Sequence, residues 1–106
     1  MQFLIIAYDG TDSEALSRRM AVRERHIALS NEAIKSNKQL FGTAILNEAG
    51  NMCGSVMVVD YPSREALDEW LLIEPYVTGN VWQKIEIHPT KIGPSFEHLF
   101  GLNNEK

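Results

Sequence analysis

A single cysteine, Cys53, leaves no intrachain disulfide to form, so stability must come from packing. That usage suits a reducing compartment, and a cytoplasmic protein is the expectation. Nowhere does the chain approach the ~18–20 apolar residues of a membrane-spanning helix. The apolar start, Met1 to Ala7, is shorter than a signal-peptide core and carries no leading positive charge. Positive charge is in deficit, with 10 Lys and Arg against 14 Asp and Glu and a net charge of −4. This argues against nucleic acid as a partner, because phosphate binding needs a basic patch. Arg18, Arg19, Arg23 and Arg25 do cluster, but Glu14 and Glu24 interleave them. Gly-x-Gly-x-x-Gly, phosphate-loop, Cys-x-x-Cys, His-x-x-x-His and Ser-centred nucleophile patterns are all missing. His26, His88 and His98 are far apart, and Glu86 with His88 on one strand face is two ligands short of a metal site. No metal and no cofactor are expected. Cys53, with no helix N-terminus beside it, reads as an inert thiol.

What is present is an ordinary globular composition. A chain of 106 residues with 44% hydrophobic content fits one domain, 1–106, with a core over about 1–90 and a tail over 91–106. Phe3 to Tyr8 reads as a strand that is apolar on both faces. Asp9 to Asp12 is a turn, after which Asp12 or Ser13 is placed to cap a helix running to about Asn37. Leu16, Met20, Ile27 and Ile34 mark an apolar stripe on that helix. Leu40 to Leu46 reads as a second strand, followed by a hairpin loop in which Gly50 supplies a positive φ. Gly54 to Asp60 is a third strand. Ser63 caps a second helix with Ala66, Leu67, Trp70 and Leu71 on one face, which must stop before Pro75. A fourth strand covers Val81 to His88 and ends at Pro89. In the tail, Phe96, Leu99 and Phe100 suit one short docked helical turn.

The order β-α-β-β-α-β is the ferredoxin-like α+β plan, with two helices on one face of a four-stranded antiparallel sheet. The first and third strands are apolar on both sides, yet the chain has no spare element to cover the second face. A second copy of the chain is the economical cover, which predicts a homodimer built as a dimeric α+β barrel.

Candidate chemistry centres on His26 in the first helix and Glu74 at the end of the second. Imidazole plus carboxylate is a minimal proton-transfer kit, because the carboxylate fixes the tautomer and raises the ring's basicity. The competing reading of His26 is a half-buried surface histidine. That of Glu74 is a solvated carboxylate at a helix C-terminus, where the macrodipole disfavours it. Arg19 and Arg23 share His26's side of the helix and suit a carboxylate or phenolate, or else form a solvated face paired with Glu24 or Asp12. Tyr76 is placed to orient a substrate, and Tyr8 and Trp82 to line an aromatic pocket, with core or interface packing as the alternative.

Two segments, Arg19-Met20-Ala21-Val22-Arg23-Glu24-Arg25-His26-Ile27 and Glu74-Pro75-Tyr76-Val77-Thr78-Gly79-Asn80-Val81, resemble those of the YciI-like (YCII-related) family in order and spacing over about residues 1 to 90. The resemblance implies a small dimeric α+β barrel with a His–Asp pair in a cleft. It also implies a relative that dehydrochlorinates a chlorinated aromatic diol-type compound. By position the pair is His26 and Glu74, so this chain carries Glu where the family generally has Asp, one methylene and about 1.5 Å longer. Two functions follow as expectations. One is a cofactor-independent lyase, isomerase or dehydrochlorinase-like enzyme using His26 and Glu74, with Arg19, Arg23, Tyr76 and Tyr8 holding a small aromatic or anionic ligand. The other is a non-catalytic module using the same cleft to hold a small ligand or contact another protein, which a separation of His26 and Glu74 beyond about 4 Å with no shared water would favour.

Overall fold

The computed structural model describes residues 1–101. The elements are β1 (Gln2–Asp9), α1 (Ala15–Lys35), β2 (Gln39–Leu46), β3 (Met52–Asp60), α2 (Arg64–Leu71), α3 (Pro75–Thr78), β4 (Trp82–Thr90) and a terminal 3-10 turn (Pro94–Phe100). The strands form one antiparallel sheet in the order β2-β3-β1-β4. This is the ferredoxin-like α+β arrangement that the element order predicts. None of the described helices is long and apolar enough to cross a membrane. The expected tail turn forms, although Phe96 and Leu99 stay exposed, and the remainder of the tail, 102–106, lies outside the described residues.

Strand alternation sorts the two faces. In β1 the residues Phe3, Ile5, Ala7 and Asp9 are buried, and their neighbours Ser55, Met57 and Val59 on β3 are buried with them. This is the helix-covered face, completed by Val22, Leu67, Tyr76 and Trp82. A register shift between Tyr8 and Asp9 sets Asp9 against Trp82 and turns both inward. The opposite face carries Leu4, Ile6, Val56 and Val58, with Phe41 paired to Val58, and none of these is fully buried. Contrary to expectation β4 runs through Pro89, which sits opposite Phe3; as an edge strand it tolerates a residue without an N–H.

The helices differ from expectation in instructive ways. Leu16, Met20, Ile27 and Ile34 do not face the core; Met20 and Ile34 are 50% and 52% exposed. The buried residues of α1 are Arg19, Val22 and Ala33, because a buried carboxylate and an aromatic ring await the arginine. Neither Asp12 nor Ser13 caps α1: Glu14 takes the cap position with no side-chain bond, and Asp12 is held by Arg18 at 2.8 Å. Ser63 does cap α2, accepting from the Ala66 N–H at 3.1 Å.

Both α1 and α3 end on an asparagine in the left-handed region, Asn37 at φ 60° and Asn80 at φ 57°. In each, paired reversed bonds close the helix: Lys38 N–H to the Ala33 carbonyl and Asn37 N–H to that of Ile34, then Val81 N–H to Tyr76 and Asn80 N–H to Val77. The short α3 escapes sequence patterning because four residues make little more than one turn.

Tyr61 is buried under α2, and its phenol is pushed up to about 12 by burial, helped by the negative charge of Glu74. The unfolded tyrosine titrates near 10. The folded state therefore binds this proton more tightly, and stability present below pH 10 is lost as the pH rises toward 12. Tyr61→Phe removes that dependence. Urea midpoints between pH 9 and 12 are expected to fall less steeply for the variant than for the parent chain.

Candidate active site

The site grows from α3. Glu74 is its N-cap, with Pro75 in the first turn, where Pro costs no hydrogen bond. The Glu74 carboxylate, with no exposed surface, accepts from the Tyr76 N–H at 2.7 Å through Oε1. This corrects the picture of a solvated carboxylate at a helix C-terminus. Glu74 stands at the start of a helix, where the free N–H groups favour a negative charge.

The same carboxylate grips His26. Nδ1 lies 2.9 Å from Oε2 and 3.1 Å from Oε1. With glutamate at this position the carboxylate reaches both its own helix start and the imidazole. His26 is 16% exposed, and Nε2 bonds to no described residue.

Tyr76 fixes the ring plane. The His26 imidazole stacks on it at 3.9 Å with 14° between planes, and the Arg19 guanidinium lies over it at 4.5 Å. Arg19 and His26 are seven residues apart on α1, about 10 Å of rise, which leaves room for one ring between them. Burial pushes the Tyr76 phenol up against the pull of Arg19 and Arg23, so it stays a neutral O–H. Trp82 meets both His26 and Tyr76 edge-on, at 6.1 and 5.6 Å.

Beneath this stack lies a buried polar layer. Arg19 Nη1 donates to both oxygens of Asp9 at 3.0 and 3.1 Å, and Nη2 donates to Ser55 Oγ at 2.9 Å. Ser55 Oγ also accepts from the Trp82 indole at 3.2 Å. Burial pushes the Asp9 carboxyl up, and the Arg19 charge offsets this only in part. Arg19 Nε is buried with no acceptor among the described residues. Arg19 is thus a structural cation rather than part of a solvated face.

A cleft of about 240 Å³ opens between α1 and the β2–β3 side of the sheet. His26, Arg19, Arg23 and Tyr76 all line it, together with Ser30 and Gln39. Arg23 is exposed there and has no ion-pair partner among the described residues. Tyr8 is not brought to this cleft. It lies on the opposite sheet face, 39% exposed, with Lys84 5.6 Å from its ring. Trp82 belongs to the core. The described residues contain no group of three His, Cys, Asp or Glu able to hold a metal ion.

Sequence reasoning passed over Asp9, Ser55, Ser30 and Gln39. A signal existed for Asp9: it shares the parity of Phe3, Ile5 and Ala7, which places a charge on the core face of β1. Breaking a buried pair by removing one partner costs about 3–5 kcal/mol, because the other charge is left unpaired. Asp9→Ala is expected to lose about that much in urea denaturation, whereas Asp9→Ala with Arg19→Met is expected to lose clearly less.

The YCII-related domain profile matches residues 1–91. Protein YciI of Escherichia coli O6:H1 is 29% identical over 97 residues, covering 86% of this chain and 97% of that protein. A Haemophilus influenzae protein is 28% identical over 99 residues at the same coverage. Among solved structures, 5-chloro-2-hydroxyhydroquinone dehydrochlorinase from Burkholderia phenoliruptrix AC1100, in complex with 2,5-dihydroxybenzoquinone, superposes with a TM-score of 0.76 at 21% identity, covering 90% of this chain and 98% of that one. Rv0793 from Mycobacterium tuberculosis gives 0.54 at 17%, covering 89% and 99%. The solved structures agree on the fold, and the profile match over most of the length establishes that this chain belongs to the YCII-related family.

Proposed function

We propose that the chain is a small cofactor-independent enzyme in which His26 moves a proton to or from a small ring-shaped, anionic substrate, with Glu74 holding the imidazole. The observation that carries this reading is the bond between Glu74 and Nδ1 at 2.9 Å. An ionised carboxylate only accepts, so Nδ1 carries the hydrogen and the Nε2 lone pair is left for the substrate. A separation beyond about 4 Å would favour the binding-only alternative, and the 2.9 Å contact supports the proton-transfer reading instead.

The other side chains take supporting roles. Arg23 supplies positive charge at the cleft's exposed edge for a phenolate or carboxylate. Tyr76 backs the imidazole and, with its neutral hydroxyl, offers a donor. Arg19 acts through Tyr76, not on the substrate. The activity named for the Burkholderia protein of this fold suits such a site. Loss of HCl from a chlorinated hydroquinone takes two proton transfers. One hydroxyl becomes a carbonyl as a proton is delivered to the chlorine-bearing carbon; a base then takes the second hydroxyl proton while chloride leaves with the C–Cl electron pair, and no cofactor enters.

The face bearing Leu4, Ile6, Val56 and Val58 supports a second proposal, that two copies pair sheet to sheet as a dimeric barrel. Its apolar residues run across three strands, and β4 borders them with Lys84, Glu86 and His88.

Both proposals have direct tests. Glu74→Gln keeps an acceptor for the Tyr76 N–H but turns an amide N–H2 toward Nδ1, which moves the ring hydrogen to Nε2. Turnover, followed as chloride release from a chlorinated hydroquinone, is expected to fall about 10²–10⁴-fold in Glu74→Gln and in His26→Ala, with the circular dichroism spectrum unchanged. Activity equal to the parent in either variant would sink the proton-transfer role. Sedimentation is expected to show a dimer at micromolar concentration and a monomer for Ile6→Glu; a monomeric parent chain refutes the sheet pairing.

A further inference from the structure

The floor of the cleft holds a hydroxyl whose hydrogen has no acceptor among the described residues. Ser55 lies on β3 and is only 4% exposed, yet it lines the cleft that His26 lines. Its Oγ accepts from Arg19 Nη2 at 2.9 Å and from the Trp82 indole at 3.2 Å. A serine hydroxyl has two acceptor lone pairs and one hydrogen. Guanidinium and indole only donate, so between them they occupy both lone pairs. The hydrogen is what remains for a third partner.

The surroundings of Ser55 favour an acceptor that arrives from the cleft. Its cross-strand neighbours are small, Ala7 on β1 and Ala44 on β2, and Ala44 lines the cleft beside it. The buried layer is also short of acceptors. Arg19 Nε is a buried N–H with no partner among the described residues, so a second hydrogen of the same bonded group is unmatched. None of the described residues lining the cleft is Asp or Glu, and Arg23 adds positive charge. Accepting from a cation polarises a hydroxyl and strengthens it as a donor. Held by two bonds, the hydroxyl has little to reorganise when negative charge develops on a nearby oxygen.

We propose that Ser55 donates to the negative oxygen of the substrate, with Arg19 and Trp82 as positioning residues that aim its hydrogen into the cleft. When His26 Nε2 takes a hydroxyl proton, the electron pair stays on the oxygen, and Ser55 stabilises that charge. Arg23 draws an anion to the exposed edge, whereas Ser55 tells an anionic oxygen from a neutral one at the floor. The proposal rests on the cleft being the substrate site of a proton-transfer enzyme, and it adds the group that receives the charge.

Binding of 4-nitrophenolate and of its neutral methyl ether, 4-nitroanisole, tests this. The parent chain is expected to prefer the phenolate. Ser55→Ala is expected to lose about tenfold in phenolate affinity, the worth of one hydrogen bond to a charged group, with ether affinity unchanged. That variant also strips an acceptor from Arg19 and Trp82. Ser55→Cys keeps a similar shape with only a weak donor, so it is expected to show the same loss even if the alanine variant folds poorly. Ser55→Thr keeps the hydroxyl and is expected to keep the preference. Equal weakening of both ligands marks a purely structural serine and overturns the proposal. Unchanged phenolate affinity in Ser55→Ala or Ser55→Cys, or no phenolate binding by the parent chain, overturns it too. Chloride release by His26→Ala keeps the two readings apart. A loss there, together with a phenolate preference indifferent to Ser55, overturns only the role of Ser55. Full activity there overturns the proton-transfer reading, whatever Ser55 does.

Discussion

A carboxylate with no exposed surface sets the terms for the rest of this site. Glu74 is buried completely, and a buried charge is tolerated only when its oxygens are matched. Two partners meet that demand, the Tyr76 N–H and the His26 Nδ1. The first starts α3 where it starts, with Pro75 filling the position that needs no donor. The second pulls the middle of α1 onto the α3 segment and orients the imidazole. Stacking of that imidazole on Tyr76 follows, since Tyr76 is two residues on from the carboxylate on the same short helix. Local capping and the proposed chemistry are therefore one arrangement.

The layer below the stack shows why the arrangement stays in place. Asp9, Arg19, Ser55 and Trp82 join β1, α1, β3 and β4 through bonds of 2.9 to 3.2 Å around one guanidinium. Such a layer is weak evidence for stability, because a well-packed apolar set of similar volume often does as well. What it supplies here is position. The guanidinium over the Tyr76 ring and the indole edge against both rings leave Tyr76 and His26 few other places to go. Rigid support of this kind lets one histidine on a helix act in a fixed direction.

The cleft itself combines apolar walls with polar groups at its ends, the usual composition of a small-ligand site. The α1 isoleucines that fail to reach the core, Ile27 and Ile34, form part of those walls. Their exposure reads as a packing fault only while the cleft is ignored. The Leu4, Ile6, Val56 and Val58 face is a separate matter, lying across the sheet from the cleft.

The sequence by itself determined the strand–helix order, the hairpin at Gly50, the Ser63 cap and the two-sided character of β1, because alternation and turn chemistry are local properties of the chain. It also carried His26 and Glu74 as a candidate pair, although their correspondence came from resemblance to a family and not from any spacing between them. Only the tertiary structure decided which face of α1 turns inward. Hydropathy pointed to Leu16, Met20, Ile27 and Ile34, whereas the fold buries Arg19, whose partners Asp9 and Ser55 lie 10 and 36 residues away. The tertiary structure likewise separated Tyr8 from the cleft and brought Gln39 into it. The physical reason is the same in each case: a polar side chain can be buried when another part of the chain offers it a partner, and such a partner has no period in the sequence.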